Sequence, residues 1–247
     1  VIPPGALAVD VGATSIRMCL FAAAGALIGR RSRRPTPYPC TPERLIAVVS
    51  ARFAQRPLAR IGLGFPGDVR DGVVLDAANL TRPEGPGGAR DPALAERWRG
   101  YDLRGSLAAA TGAEVHVDND AAMAALGCAT GAGTELVVTL GTGCGLALVR
   151  DGELVRVRDV GDERLSGGET YDDVLGERGR QANEAEWTLR AVSAVSALAG
   201  EYEATTIHLA GGNARRLSPS AFGAWAGQVV IERDEPALRG AWRACYG

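Results

Sequence analysis

Ala8–Arg30 reads AVDVGATSIRMCLFAAAGALIGR, and Val137–Val157 reads VVTLGTGCGLALVRDGELVRV. Each holds an apolar strand, a Gly/Thr-rich turn, a second apolar strand, a Gly-containing hairpin turn and a third strand. Gly12–Leu20 is in register with Gly141–Val149, and Ala26-Leu27-Ile28 after Gly25 matches Glu153-Leu154-Val155 after Gly152. Glycine at such a turn lets backbone N–H groups approach an anion, and Thr14 and Thr142 add hydroxyl donors. Two such turns, one per half of the chain, predict two lobes facing each other across a phosphate.

The chain has 247 residues, 46% of them hydrophobic and 23% charged, with a net charge of −2. That balance suits a globular protein able to bury a core and gives no support for a nucleic-acid or anionic-membrane partner. All 27 Lys/Arg positions are arginine. Without a lysine ammonium, a Walker-type P-loop is excluded, and phosphate must be met by backbone amides, hydroxyls, arginine or a metal. Cys19, Cys40, Cys128, Cys144 and Cys245 lack Cys-x-x-Cys spacing. Cys19 and Cys128 read as small buried hydrophobes, and no disulfide framework or structural zinc is expected. No apolar run is long enough to span a membrane, and no signal peptide precedes the first strand, so a cytoplasmic location is expected.

Leu7–Val11, Ile16–Phe21 and Ala26–Arg33 read as antiparallel strands. The arginines at 30, 31, 33 and 34 read as a solvated strand end, with an anion-binding edge as the alternative. Thr41-Pro42-Glu43 opens a helix. Leu58–Leu63 is a short buried strand ending in Gly64-Phe65-Pro66-Gly67-Asp68. Thr81–Gly100, rich in Pro, Gly and charge, reads as a mobile insertion. Asp118-Asn119-Asp120 caps an Ala-rich helix, and Tyr171–Gly200 is mostly helical with a break near Gly176–Gly179. Thr205–Ala210 is a strand ending in Gly211-Gly212-Asn213, with a helix behind it. The pattern β-β-β-α-β-α occurs twice, giving an N-terminal lobe over 1–115 and a C-terminal lobe over 116–247. The last helix can pack back on the first lobe.

Three positions carry chemistry. Asp10 stands just before the first Gly turn, where a carboxylate would repel phosphate unless a divalent cation lay between them. An Asx-type cap is the structural alternative. Asp120 opens a helix, where a carboxylate can accept a proton or hydrogen bonds from a hydroxyl. Its alternative is an ordinary N-cap, although Asp118, Asn119 and Asp120 offer three capping residues where one suffices. Gly211-Gly212-Asn213 leaves backbone open to a flat ligand such as a nucleoside, or forms a plain turn.

Taken together, AVDVGATSIRMCLF, IGLGFPGDVRDGVV with AANL, VHVDNDAAMAALG, VVTLGTGCGLALVRDGEL and IHLAGGNARRL resemble the ROK family of sugar kinases. The resemblance covers nearly the whole chain and is strongest to bacterial polyphosphate/ATP glucokinases. It implies an actin-like (ribonuclease H-like) α/β fold of duplicated lobes around an interlobe cleft. It further implies ATP-dependent phosphoryl transfer to a hydroxyl, with Asp120 as general base. Asn119, Asn79, Pro66 and Gly67 would contact the sugar. Asp10 would organise Mg²⁺ through water. Gly12, Thr14, Gly141, Thr142 and Gly143 would cradle the donor phosphates, and Gly211, Gly212 and Asn213 would meet the nucleoside. The resemblance also allows a homodimer.

The departures bear on the acceptor. Sugar-phosphorylating members carry Glu-x-Gly-His after the second hairpin, where this chain has Asp159-Val160-Gly161-Asp162. Asp159 is one methylene shorter than Glu, and Asp162 places an acceptor-only carboxylate where an imidazole could donate. Ala122 replaces a polar residue usual two positions after the base. Many members bind zinc with a cysteine cluster just beyond, and none occurs here. The acceptor is therefore expected to be a hexose, a modified hexose such as an amino sugar, or a sugar-like cyclitol. ATP is the expected donor; polyphosphate would want a basic track. A glucokinase proper is the near alternative and a non-catalytic ROK-type sugar sensor the distant one. Sensors normally carry an N-terminal helix-turn-helix, which is not expected here.

Overall fold

The computed structural model describes residues 4–246 apart from Arg156, Arg158, Asp159, Asp162, Ser166 and the side chain of Ala78. The chain forms two compact units, residues 1–123 with 237–247, and residues 124–236.

In the first unit, β1 (Gly5–Val11), β2 (Ser15–Ala22) and β3 (Leu27–Pro35) are joined by tight turns into an antiparallel ribbon. Every residue of β1 is buried, as expected of a strand covered on both faces. Helix α1 (Pro42–Ala54) starts where Thr41 Oγ1 accepts from Arg44 N–H at 3.4 Å. Its Leu45, Val49 and Phe53 recur every four residues and face the sheet. It returns the chain to β4 (Arg60–Phe65), parallel to β1. A small three-stranded sheet follows, made of β5 (Asp68–Arg70), β6 (Val73–Asp76) and, after α2 (Pro92–Trp98), β7 (Tyr101–Asp102). Helix α3 (Leu103–Thr111) stops at Gly112, which takes the left-handed φ of 71°. Strand β8 (Glu114–Asn119) then pairs in parallel with β4, and α4 (Asp120–Cys128) follows at once.

The second unit repeats the ribbon with β9 (Thr134–Leu140), β10 (Cys144–Arg150) and β11 (Glu153–Val155). Helices α5 (Tyr171–Leu175), α6 (Glu177–Ala182) and α7 (Glu184–Glu201) lead to β12 (Thr206–Ala210) and β13 (Val229–Ile231). The sheet orders are β3-β2-β1-β4-β8 and β11-β10-β9-β12-β13. The two are topologically identical, so the duplication extends from motif to sheet. Helix α8 (Pro236–Arg243) is tied to the first unit. Trp242 Nε1 donates to the Ala22 carbonyl at 3.1 Å, and a Cβ on Gly62 would overlap the Ala241 backbone, so β4 and α8 meet at van der Waals distance.

Two expectations change. The stretch 81–100 is not a structureless insertion: it contains α2, capped by Asp91, whose Trp98 is fully buried. Trp98 Nε1 donates to the Cys40 carbonyl at 2.9 Å and its ring lies 5.1 Å from that of Phe65. Behind Gly211-Gly212-Asn213 the chain forms short 3-10 turns, Ala214–Arg216 and Pro219–Trp225, instead of an α-helix. Pro219 and the left-handed Gly223 (φ 56°) interrupt any longer run. The expected break in 171–200 falls at Gly176, whose N–H caps α5 on the Asp172 carbonyl. Among the described residues, no helix is long and apolar enough to cross a membrane.

Candidate active site

The first Gly turn joins β1 to β2. Gly12 N–H donates to the Ser15 carbonyl at 3.0 Å, and the turn is clamped from outside by Thr36 Oγ1 on the Gly12 carbonyl (2.6 Å) and Tyr38 Oη on that of Ala13 (2.5 Å). Thr14 is exposed. Asp10 is buried, 3% exposed, and forms an ion pair with Arg17, its cross-strand neighbour on β2. Arg33 on β3 lies opposite Arg17 and donates from Nε to Ser15 Oγ at 2.9 Å. Thr14, Ser15, Arg33, Arg34 and Pro35 line a shallow cavity of about 310 Å³. Sequence reasoning missed Arg17 as the partner of Asp10, because only strand register brings the two together.

The second Gly turn joins β9 to β10 and is held by different groups. Gly141 N–H donates to the Gly143 carbonyl at 2.9 Å, and Asn213 Nδ2 donates to the Gly141 carbonyl at 3.1 Å. Gly211, at φ 90°, lies so close to Leu140 that a Cβ would overlap its carbonyl. The predicted Gly141-Thr142-Gly143 and Gly211-Gly212-Asn213 therefore form one assembly. Asp172 and Glu177 also belong to it, and the sequence reading did not single them out. Asp172 Oδ1 accepts from Cys144 N–H at 2.7 Å, and Glu177 N–H donates to the Thr142 carbonyl at 3.2 Å. Arg180 above all, helped by Asn213 and Gln181 against the cost of partial burial, holds the Glu177 carboxyl down at about 2. The capping box of Thr170 and Asp173 at the head of α5 was the available local signal.

Asp120 is the first residue of α4 and half-buried. Its neighbour Asn119 is the N-cap: Oδ1 accepts from Ala121 N–H at 2.8 Å and from Ala122 N–H at 3.2 Å. From the other end of the same amide, Nδ2 donates to the Gly67 carbonyl at 2.9 Å. Asn119 thereby ties the head of α4 to the Pro66-Gly67 turn. Close packing completes the junction, since a Cβ on Gly64 would lie 3.3 Å from Asp120 Cα. Asn79 sits in a 3-10 turn, Ala78–Thr81, and accepts from Arg82 Nε at 3.1 Å. Asp159 and Asp162 lie outside the described residues.

The sequence model of the ROK family matches residues 6–159, a span that takes in both Gly turns, the Pro66-Gly67 turn and Asp120. The chain belongs to the ROK family. Over 175 residues it is 31% identical to the polyphosphate glucokinase of Mycobacterium tuberculosis, covering 66% of this chain and 60% of that protein. The alignment thus spans less than two thirds of that relative's length. The crystal structure of the inorganic polyphosphate/ATP-glucomannokinase from Arthrobacter sp. strain KM superposes with a TM-score of 0.79 at 28% identity, covering 97% of each chain. A ROK glucokinase from Streptomyces griseus, solved with glucose and AMPPNP, gives a TM-score of 0.75 at 19% identity over 97% of this chain and 98% of that one. The ROK chain described here therefore has the α/β fold of these actin-like sugar kinases.

Proposed function

We propose that this ROK protein is a sugar kinase that transfers a phosphoryl group to a hydroxyl of a hexose, a modified hexose or a sugar-like cyclitol. The observation that carries the reading is the Asn119–Gly67 hydrogen bond. It fixes Asp120, at the positive end of a helix, beside the turn assigned to the sugar. Asp120 takes the acceptor hydroxyl proton as that oxygen bonds to phosphorus and the bond to the donor's leaving oxygen breaks. Pro66, Gly67, Asn79 and Asn119 orient the acceptor, and Asp159 and Asp162 bear on which acceptor is taken. Gly12, Thr14, Gly141, Thr142 and Gly143 contact the donor phosphates; Gly211, Gly212 and Asn213 meet the nucleoside.

Asp10 suits Mg²⁺, a hard cation that keeps several waters and takes few carboxylates. Held through water, the cation would leave the Asp10–Arg17 pair in place. When bound it would neutralise charge on the donor phosphates. ATP is the proposed donor. One observation favours polyphosphate as a second: the cavity beside Thr14 is lined by Arg33 and Arg34, the side chains that replace lysine in holding a polyanion here.

The test is ADP release from Mg·ATP with glucose, an amino sugar, a cyclitol or no acceptor, repeated as acceptor phosphorylation with inorganic polyphosphate. Acceptor-dependent turnover with either donor supports the kinase. Saturable use of glucose overturns the idea of an acceptor pocket retuned by Asp159 and Asp162. Ligand binding without turnover for any pair overturns the kinase reading itself.

A further inference from the structure

The second unit contains a polar side-chain cluster that the proposed reaction does not use. Cys128 ends α4, Glu135 lies near the start of β9, His208 is the central residue of β12 and Glu232 follows β13. Register pairs Thr206 with Glu135 and His208 with Val230. Glu135, His208 and Glu232 therefore share the sheet face opposite Leu136, Ile207 and Leu209. His208 Nδ1 lies 2.8 Å from Glu232 Oε1, and Nε2 lies 2.9 Å from Glu135 Oε2. Ligand atoms of Cys128, His208 and Glu232 all fall within 4.8 Å of one another.

We propose that Cys128, His208 and Glu232 form a binding site for a divalent transition-metal ion of borderline softness such as Zn²⁺, with Glu135 behind His208 orienting its ring. A thiolate, an imidazole and a carboxylate are the donors such ions take together, whereas Mg²⁺ and Ca²⁺ select oxygen alone. Zinc ligands at about 2.0–2.3 Å from the ion lie roughly 3.3–3.8 Å apart in a tetrahedron, so the cluster closes on a metal with side-chain shifts on the order of 1 Å.

The group behind the ligand is already in place. Glu135 is wholly buried and accepts from Thr130 N–H, Thr130 Oγ1 and Gly131 N–H as well as from His208. A carboxylate on Nε2–H leaves Nδ1 to face the metal, the arrangement that fixes a ligating histidine.

A metal takes the imidazole nitrogen and the sulfur as lone-pair donors, so any proton on His208 Nδ1 or Cys128 Sγ leaves for solvent as the ion binds. A bound ion would tie the end of α4 to β12 and β13. The site escapes a spacing-based search because its ligands come from three separate elements.

The test is titration of the chelator-stripped protein with Co²⁺, followed by Zn²⁺. The expected result is saturation at one equivalent, a near-ultraviolet thiolate-to-cobalt charge-transfer band, and loss of that band when Zn²⁺ is added. Cys128→Ser should remove the band. Glu232→Gln, which keeps the thiol, should retain it with weakened affinity. Absence of the band in the wild-type protein would overturn the proposal, leaving the cluster a closed ion-pair network. An undiminished band in a folded Cys128→Ser would also overturn it, by placing the metal on another cysteine.

Discussion

Asp120 and Glu177 are both carboxylates at the head of a helix, and their surroundings set different expectations for each. Asp120→Asn keeps the shape of the α4 terminus and removes the proposed proton acceptor. Turnover should fall by about 10²- to 10⁴-fold, while sugar affinity, measured by calorimetry, stays close to that of the wild type. Full activity in this variant would remove Asp120 from the reaction. Glu177 tests the second turn instead. Its carboxyl lies at about 2 against an ordinary 4.5. The native state is therefore favoured by the ionised form above 4.5, and this contribution is lost as pH falls from 4.5 towards 2. Thermal melts at stepped pH should show Glu177→Gln less stable than the wild type near neutrality, with the gap narrowing through that acid window. A gap that is constant with pH would mean that Glu177 acts through shape alone.

Elements differ in how far they announce themselves. The Gly12 and Gly141 turns, the Thr41-Pro42 start of α1 and the cap before α4 carry their signal in residues within a few positions of one another, and sequence reading found them, though not the distant Thr36, Tyr38 and Asp172 that help to hold the two turns. Helix α2 was hidden. Its flanks are rich in Gly and Pro, and what holds it is Trp98 reaching Cys40 and Phe65, which are far away in the chain. The same reason hid Arg17 beside Asp10, Asp172 against the second turn, and His208 between its two glutamates: each depends on register across strands or on a helix laid over a sheet. The hidden anchor of α2 should be a strong one. Trp98→Ala should cost about 3–5 kcal/mol, read by urea denaturation. Trp98→Phe keeps most of the apolar volume and should cost clearly less. Equal losses would locate the stabilisation in the indole hydrogen bond to Cys40.

For the molecule as a whole, the path of the chain matters more than any single contact. Residues 237–247 leave the second unit and join the first, where Leu238, Ala241 and Cys245 are buried and the Trp242 ring lies 6.1 Å from that of Phe21. A chain stopped before Pro236 should lose amide protection in β2 and β4 by hydrogen exchange, while β9 and β12 keep theirs. Faster exchange in β9 instead would show that the two units unfold as one.

The same connectivity sets an order of events during synthesis. The second unit is one uninterrupted segment, 124–236, whereas the first is split around it. On the ribosome, the later-made unit can close as soon as its segment has emerged. The earlier-made unit must wait, with the α8-facing surface of β2 and β4 uncovered, until the last helix arrives. The nascent chain thus completes the unit it began with only after the other has been made.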